Sequence, residues 1–548
     1  MSHNGWLRAW LIHRTALFGL VVAGLIVSAA SAANPPNVIV ILADDLGFSD
    51  IGSYGGEIAT PNLDGLAARG VRFTQFYNTA RCWPSRAALL TGYYAQQVNR
   101  DPANARPKWA SLLPDLLRPA GFHSYHSGKW HVDGPVLAAG FERSYLLVDH
   151  NRNFAPREHA IDDRPLPPVK PGEGYYTTKA VASHAIDWLD HHEKTHKGSP
   201  FFLYVAFTSP HFPVQAPAED IARYKGKYDA GWDVVRQARL RRQRELGIYG
   251  GSLSTRDPKT VPGWNLSEPE LKRRVGPGEV GYAVSWDALT PEEQAFQAAK
   301  MEVHAAMVDR MDREIGRILD RVRALGEFDN TIILFASDNG ASAEQIIRGD
   351  GHDPASPVGS AGSFLGIGPG WSTASNTPFR LHKSWNHEGG IATPLIVQWP
   401  AGLAARGELR RTQGHLIDVV PTLLELARLP APESARGEQR PPLPGHSLVP
   451  ALAKDVTIDR DFLFFKHAGN RALRLGVWKI VSAGPDGPWE LYDLSTDRGE
   501  NHNLAGANPA KVKELIVAWE HADELYRRHG ATGRSLPRPG AAKAAAAR

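Results

Sequence analysis

One cysteine, Cys82, serves all 548 residues, so the fold contains no internal disulfide and owes nothing to oxidative stapling. Charge is scarce in net terms: 62 Lys and Arg against 58 Asp and Glu leave +4, too little for its length to argue for nucleic acid as a partner. No apolar run is long enough to anchor the chain stably in a membrane, since the longest, Ala16 to Val27, is short for a span. No internal repeat is present, which sets aside solenoids and propellers. What remains is 42% hydrophobic and 22% charged, enough to bury a large core and more than one compact core usually holds.

The first segment carries Arg8, His13 and Arg14, then the apolar run, then Ala30-Ser31-Ala32, a small-residue cleavage pattern. This predicts a signal peptide over 1–32 and a periplasmic or secreted protein. No cysteine stands near the cleavage site for a lipid anchor, and no Arg-Arg pair suggests twin-arginine export.

Cys82 lies in Arg81-Cys-Trp-Pro-Ser-Arg-Ala-Ala-Leu-Leu-Thr-Gly92. Pro84 suits a first helical turn and Ala87 to Leu90 continue it, so Cys82 is expected at a helix N-terminus, where free N–H groups favour an anion. Arg86, four residues on, shares its face. By spacing alone, a reactive thiol and a small buried core cysteine are equally good readings.

Three unalternating apolar runs, Val38–Ala43, Phe201–Phe207 and Thr331–Ser337, read as strands buried on both faces of a parallel sheet. The first ends in Asp44-Asp45 and the last in Asp338-Asn339, at the carboxyl edge where open α/β sheets place ligands. Such an all-oxygen set suits Ca²⁺ or Mg²⁺ rather than zinc, although an Asp after a strand often only caps the next helix.

The run Cys82-x-Pro84-Ser85-Arg86, continued by Leu89, Thr91 and Gly92, resembles the signature of the type I sulfatases, members of the alkaline phosphatase superfamily. In them this cysteine is oxidised after translation to formylglycine. The resemblance runs from Asn37 to about Leu504. It implies an α/β fold with a large mixed, mostly parallel sheet sandwiched by helices and a smaller C-terminal α+β subdomain. It also implies that Asp44, Asp45, Asp338 and Asn339 hold a divalent metal, usually calcium, with magnesium the alternative.

Further motifs extend the likeness. Gly128-Lys129-Trp130-His131 matches the family's pair in which the lysine holds sulfate and the histidine bonds the formylglycine, where otherwise Lys129 and His131 would be ordinary loop residues. Ser209-Pro-His211-Phe-Pro213 matches the motif whose histidine faces the leaving oxygen, which makes His211 the candidate general acid. Lys383-x4-Glu388-Gly-Gly-x3-Pro394 supplies a second sulfate lysine, although many relatives have Arg where Ala392 stands. His123 and His126 match no motif and read as structural.

The resemblance thus implies a sulfuric ester hydrolase that needs a formylglycine-generating partner and acts on an aryl sulfate or sulfated glycan. The implied mechanism has one hydroxyl of the formylglycine hydrate attack sulfur, with Lys129, Lys383 and Arg86 on the equatorial oxygens and Asp338 assisting. His211 then protonates the leaving alcohol, and His131 takes the second hydroxyl proton as sulfate departs. Two rivals are a formylglycine-dependent phosphonate monoester or phosphodiester hydrolase and a non-catalytic sulfated-glycan-binding protein. The expected organisation is a catalytic domain over 33–450 with a helical insertion at about 224–299, a C-terminal subdomain over 451–530 and a disordered tail over 531–548. Within the insertion, the Arg-rich helix Val234–Leu246 is expected to present a solvated face.

Overall fold

The computed structural model describes residues 35–531. The expected signal peptide lies outside them, as does the expected tail apart from Ala531. No helix among the described residues is long and apolar enough to cross a membrane.

Ten strands form the main sheet: β1 Asn37–Asp44, β2 Val71–Tyr77, β3 His123–Lys129, β4 Arg143–Leu147, β5 His159–Ile161, β6 Arg164–Pro165, β7 Phe201–Pro210, β8 Thr331–Ser337, β9 Ala392–Gln398 and β10 Glu408–His415. Their order is β10-β2-β9-β8-β1-β7-β3-β4-β5-β6. The centre, β8 through β4, is parallel, whereas β9 runs antiparallel to both of its neighbours. The expected mixed, mostly parallel sheet is therefore present.

Each central strand is apolar on both sides because both faces are covered. Ile39, Ile41 and Ala43 pack into one core with the helices Thr177–Thr195 and Pro291–Ala324. Val38, Val40 and Leu42 pack into the other with the helices Cys82–Thr91 and Val419–Leu426. The 34-residue helix starts at Pro291, where Thr290 and Glu293 on either side of it form a capping box. The helix from Cys82 stops at Gly92, whose φ of 77° is left-handed and where a Cβ would lie 2.8 Å from that of Val420.

A small ribbon, β11 Ser434–Ala435 and β12 Glu438–Gln439, precedes a four-stranded antiparallel sheet of β13 Leu463–His467, β14 Asn470–Leu475, β15 Trp478–Ser482 and β16 Glu490–Asp493. The helix Pro509–Ala531 covers this sheet with Leu515, Trp519, Ala522 and Tyr526. The sheet is tied to the main unit at Glu388, which takes Lys479 at 2.9 Å and Arg498 at 2.8 Å.

Three local expectations change. The sequence of Arg471–Val481 reads as one short strand, but the segment forms parts of two, folded at Gly476 with φ 59°. Glu408–His415 is a strand that its charged residues conceal, and His415–Leu429, whose sequence reads as one helix, opens with a 3₁₀ turn at Leu416–Asp418 and is α-helical over Val419–Leu426. In the helix Gly231–Glu245, Arg236 and Arg239 are buried, while Arg241, Arg242 and Arg244 keep the solvated face.

Candidate active site

The register Ala43↔Ser337 brings the ends of β1 and β8 together, so the two polar pairs that follow them meet at one edge. Asp44 is the last residue of β1, and Asp45 turns away with φ 66°. Lys129, the last residue of β3, donates from Nζ to Asp44 Oδ2 at 2.6 Å. Lys383 Nζ donates to Asp45 at 2.8 Å and lies 3.0 Å from Glu344. Asn339 Nδ2 donates to Asp45 Oδ1 at 2.6 Å. All these groups are buried.

Arg86 lies one turn into the helix that starts at Cys82, and it is fully enclosed. Its Nε and Nη2 donate to Asp338 Oδ2 at 3.0 and 2.8 Å, and its Nη1 donates to the Lys129 carbonyl at 2.8 Å. The guanidinium fork thus meets a carboxylate and a main-chain oxygen, which fixes it beside the ends of β3 and β8. Burial, reinforced by the neighbouring Asp44, pushes the Asp338 carboxyl up to about 7 despite Arg86.

Cys82 is the first helical residue and is 3% exposed. Burial raises its thiol above the ordinary range and outweighs the opposing pull of Lys129 and Lys383. An unmodified Cys82 is thus held as a thiol and is poorly suited to act as a thiolate nucleophile.

His211 sits between the cis bonds Ser209–Pro210 and Phe212–Pro213. Its Nδ1 contacts the Phe212 carbonyl, and its Nε2 faces Asp45 Oδ2 at 3.7 Å. Burial, followed by Lys383 and Lys129, holds it well below the usual imidazole range. His131 has φ 55° and a buried Nδ1 without a hydrogen-bond partner. Burial first and Lys129 second depress it too.

Several neighbours gave no signal in the sequence. His150 lies between the two histidines, its ring 5.2 Å from that of His211 and 6.0 Å from that of His131. Glu344 accepts from Arg81 at 3.1 Å and from Trp264 Nε1 at 2.9 Å, as well as facing Lys383. Arg81 is flanked by Trp83 and Trp264, 5.2 and 5.5 Å from their ring centroids. No local motif marks Glu344, which follows Asn339 by five residues, or Trp264, which comes from a separate loop.

The donor set accommodates a hard cation. Asp44 Oδ1 and Asn339 Oδ1 are buried with no hydrogen-bond partner, a costly state unless something else is coordinated. Asp44, Asp45 and His211 also each present an atom within 4.8 Å of the other two.

Comparison with known proteins agrees with the fold and the family resemblance. The sulfatase family model matches residues 36–429, and the model for the C-terminal region of N-sulphoglucosamine sulphohydrolase matches 380–522. An uncharacterized sulfatase of Schizosaccharomyces pombe is 34% identical over 536 residues, covering 88% of this chain and 92% of that protein. An arylsulfatase of Klebsiella aerogenes is 32% identical over 454 residues, covering 75% and 91%. The crystal structure of Ps i-CgsB in complex with k-i-k-neocarrahexaose shares the fold with TM-score 0.64 at 22% identity, covering 91% of this chain and 94% of that one.

Proposed function

The chain belongs to the sulfatase family and is a sulfuric ester hydrolase, and from that premise we propose that it works through a formylglycine made from Cys82 beside a divalent cation, Ca²⁺ or Mg²⁺. The reading rests on one observation: the lone cysteine opens a helix within the electrostatic reach of Lys129, Lys383, Asp44 and Asp338. A hydrated aldehyde at position 82 supplies an oxygen nucleophile with a second hydroxyl through which the enzyme can be regenerated. A cation held by Asp44, Asp45, Asp338 and Asn339 supplies positive charge at the sulfate oxygens.

The remaining roles belong to side chains of the chain itself. Lys129 and Lys383 bind the sulfate group, their ammonium groups already drawn into the site by Asp44 and Asp45. Arg86 positions Asp338. His211 protonates the leaving oxygen, and the anionic charge of a bound sulfate favours the imidazolium that this needs. His131 Nδ1, unpartnered, takes a proton from the group at position 82. A formylglycine-generating enzyme is the required partner, and the amino-terminal export pattern makes the site of action periplasmic or extracellular.

The test compares kcat/KM for 4-nitrophenyl sulfate with the matching phosphate and phenylphosphonate esters. It uses calcium-loaded protein coexpressed with a formylglycine-generating enzyme and Cys82→Ala as the blank. Sulfate is expected to dominate, with an aldehyde detected at position 82 by mass spectrometry. Preference for phosphonate or phosphodiester overturns the substrate assignment, and sustained turnover by Cys82→Ala or Cys82→Ser overturns the nucleophile.

A further inference from the structure

At the opposite end of the strand that carries Lys129, three donor side chains from separate elements meet. His123 is the first residue of β3. Glu142 precedes β4 and is fixed beside β3 by its backbone N–H, which donates to the Ser124 carbonyl at 2.8 Å. His196 follows the helix Thr177–Thr195 and is held by its N–H on the His192 carbonyl at 2.8 Å. His123 Nδ1 lies 2.9 and 3.0 Å from the two Glu142 oxygens, and His196 Nε2 lies 3.6 Å from Glu142 Oε2. All three donor atoms fall within 4.8 Å of one another, and the imidazoles stack at 3.6 Å.

We propose that His123, Glu142 and His196 bind one Zn²⁺ ion. Ligand atoms about 2.0–2.1 Å from a tetrahedral zinc are roughly 3.3 Å apart, and the carboxylate-to-imidazole separations bracket that spacing. The remaining pair closes by ring rotation, for which there is room: the side chains of His123, His196 and Glu142 are 25%, 30% and 40% exposed. The same exposure leaves a coordination position for water. Two imidazoles and one carboxylate suit a borderline cation, whereas the catalytic oxygen set suits a hard one. The nearby histidines are otherwise engaged. His192 is committed on both nitrogens, to Tyr125 Oη and the Ser199 carbonyl, each at 3.0 Å, and His191 Nδ1 faces the Arg143 guanidinium at 3.5 Å. Bound zinc would tie the end of the helix to the first residue of β3 and the entry to β4, a structural clip remote from the chemistry.

The experiment uses the full chain, stripped of transition metals and saturated with calcium, titrated with Zn²⁺ by calorimetry and with Co²⁺ by visible absorption. Expected are one zinc per chain at this site, an intense tetrahedral Co²⁺ band, and a Tm raised by zinc. His123→Asn, Glu142→Gln and His196→Asn should each weaken binding by about tenfold or more and abolish the Tm response, while His191→Asn retains both. Sulfate ester hydrolysis should be unchanged throughout. Zinc affinity equal in wild type and the three variants overturns the proposal. So does a wild-type chain with no tetrahedral Co²⁺ band, whatever the stability of the variants.

Discussion

Arg239 Nη1 lies 2.8 Å from Asp50 Oδ1, joining a helix of the segment 224–299 to the loop that follows Asp44 and begins with Asp45. The other oxygen of Asp50 accepts from the Gly47 N–H at 2.9 Å and faces His304 Nε2 at 3.0 Å. Arg239 also forks onto Glu57 with two contacts of 2.8 Å. His304 and Arg239 hold the Asp50 carboxyl well below its ordinary range against the cost of burial.

Removing the guanidinium strands two acids where water cannot reach one of them. Arg239→Met should cost about 3–5 kcal/mol of stability, the usual penalty for breaking a buried ion pair. Calcium affinity should fall as well, because the loop that begins with Asp45 loses its anchor. Denaturant unfolding and calcium calorimetry on the same samples check both effects, and an unchanged calcium affinity in the folded variant would separate Arg239 from the metal loop.

Metal removal gives a second expectation. With Asp44 Oδ1 and Asn339 Oδ1 buried and unpartnered, chelation should abolish sulfate ester hydrolysis, and Ca²⁺ or Mg²⁺ should restore it where Zn²⁺ does not. Asn339→Ala should weaken calcium binding by about tenfold or more while leaving the sheet intact. Calorimetry and circular dichroism together decide this.

The sheet centre and the site's main-chain landmarks were legible because they rest on local patterns. Val38–Ala43 and Thr331–Ser337 carry their burial in unbroken apolar runs, and the adjacent carboxylates mark where those strands end. Glu408–His415 was hidden because Arg410 and Thr412 are buried by side-chain hydrogen bonding rather than by apolar character. Arg239 looked like one more charge on a basic helix, since its acidic partners lie 182 and 189 residues away. His150, Glu344 and Trp264 were unreadable because no local motif marks them and their partners His211, Lys383 and Arg81 come from other parts of the chain.

Glu344 offers a third prediction. Lys383, Arg81 and the Trp264 indole all converge on its carboxylate, which they hold well below the ordinary range against the penalty of burial. Glu344→Gln keeps the shape and one acceptor but removes the charge that aims Lys383. A small displacement of Lys383, proposed above to bind sulfate, should lower kcat/KM by about a hundredfold, with little change in thermal stability. Steady-state kinetics beside a melting curve distinguish this from general unfolding.

Buried neutral histidine predicts an acid limit. His415 accepts from the Ile417 N–H at 3.2 Å and is pushed down to about 3, chiefly by burial. Since the unfolded chain binds this proton below about 6.5 and the folded chain does not, His415 stabilises the fold above 6.5. That contribution is lost as pH falls from there toward 3, by about 1.4 kcal/mol per pH unit. His415→Gln should flatten the stability-against-pH slope by that amount across the window, measured by urea unfolding at successive pH values. An unchanged slope would mean that the ring finds a proton acceptor in the fold.

Trp264 sets the last expectation. It is 46% exposed, yet its Nε1 is anchored to buried Glu344 and its ring, like that of Trp83, lies against Arg81. A half-exposed indole bonded to the carboxylate that also pairs with Lys383 would offer a flat wall to the ring of an aryl sulfate. Trp264→Ala should raise KM for 4-nitrophenyl sulfate about two- to tenfold, the worth of one aromatic contact, and leave the KM of an open-chain alkyl sulfate unchanged. Trp264→Phe tells stacking from anchoring, because it retains a ring but loses the N–H. Near-wild-type KM in Trp264→Phe assigns the effect to ring contact with the substrate. A Phe variant as impaired as Ala assigns it to the hydrogen bond that steadies Glu344, and through it Lys383.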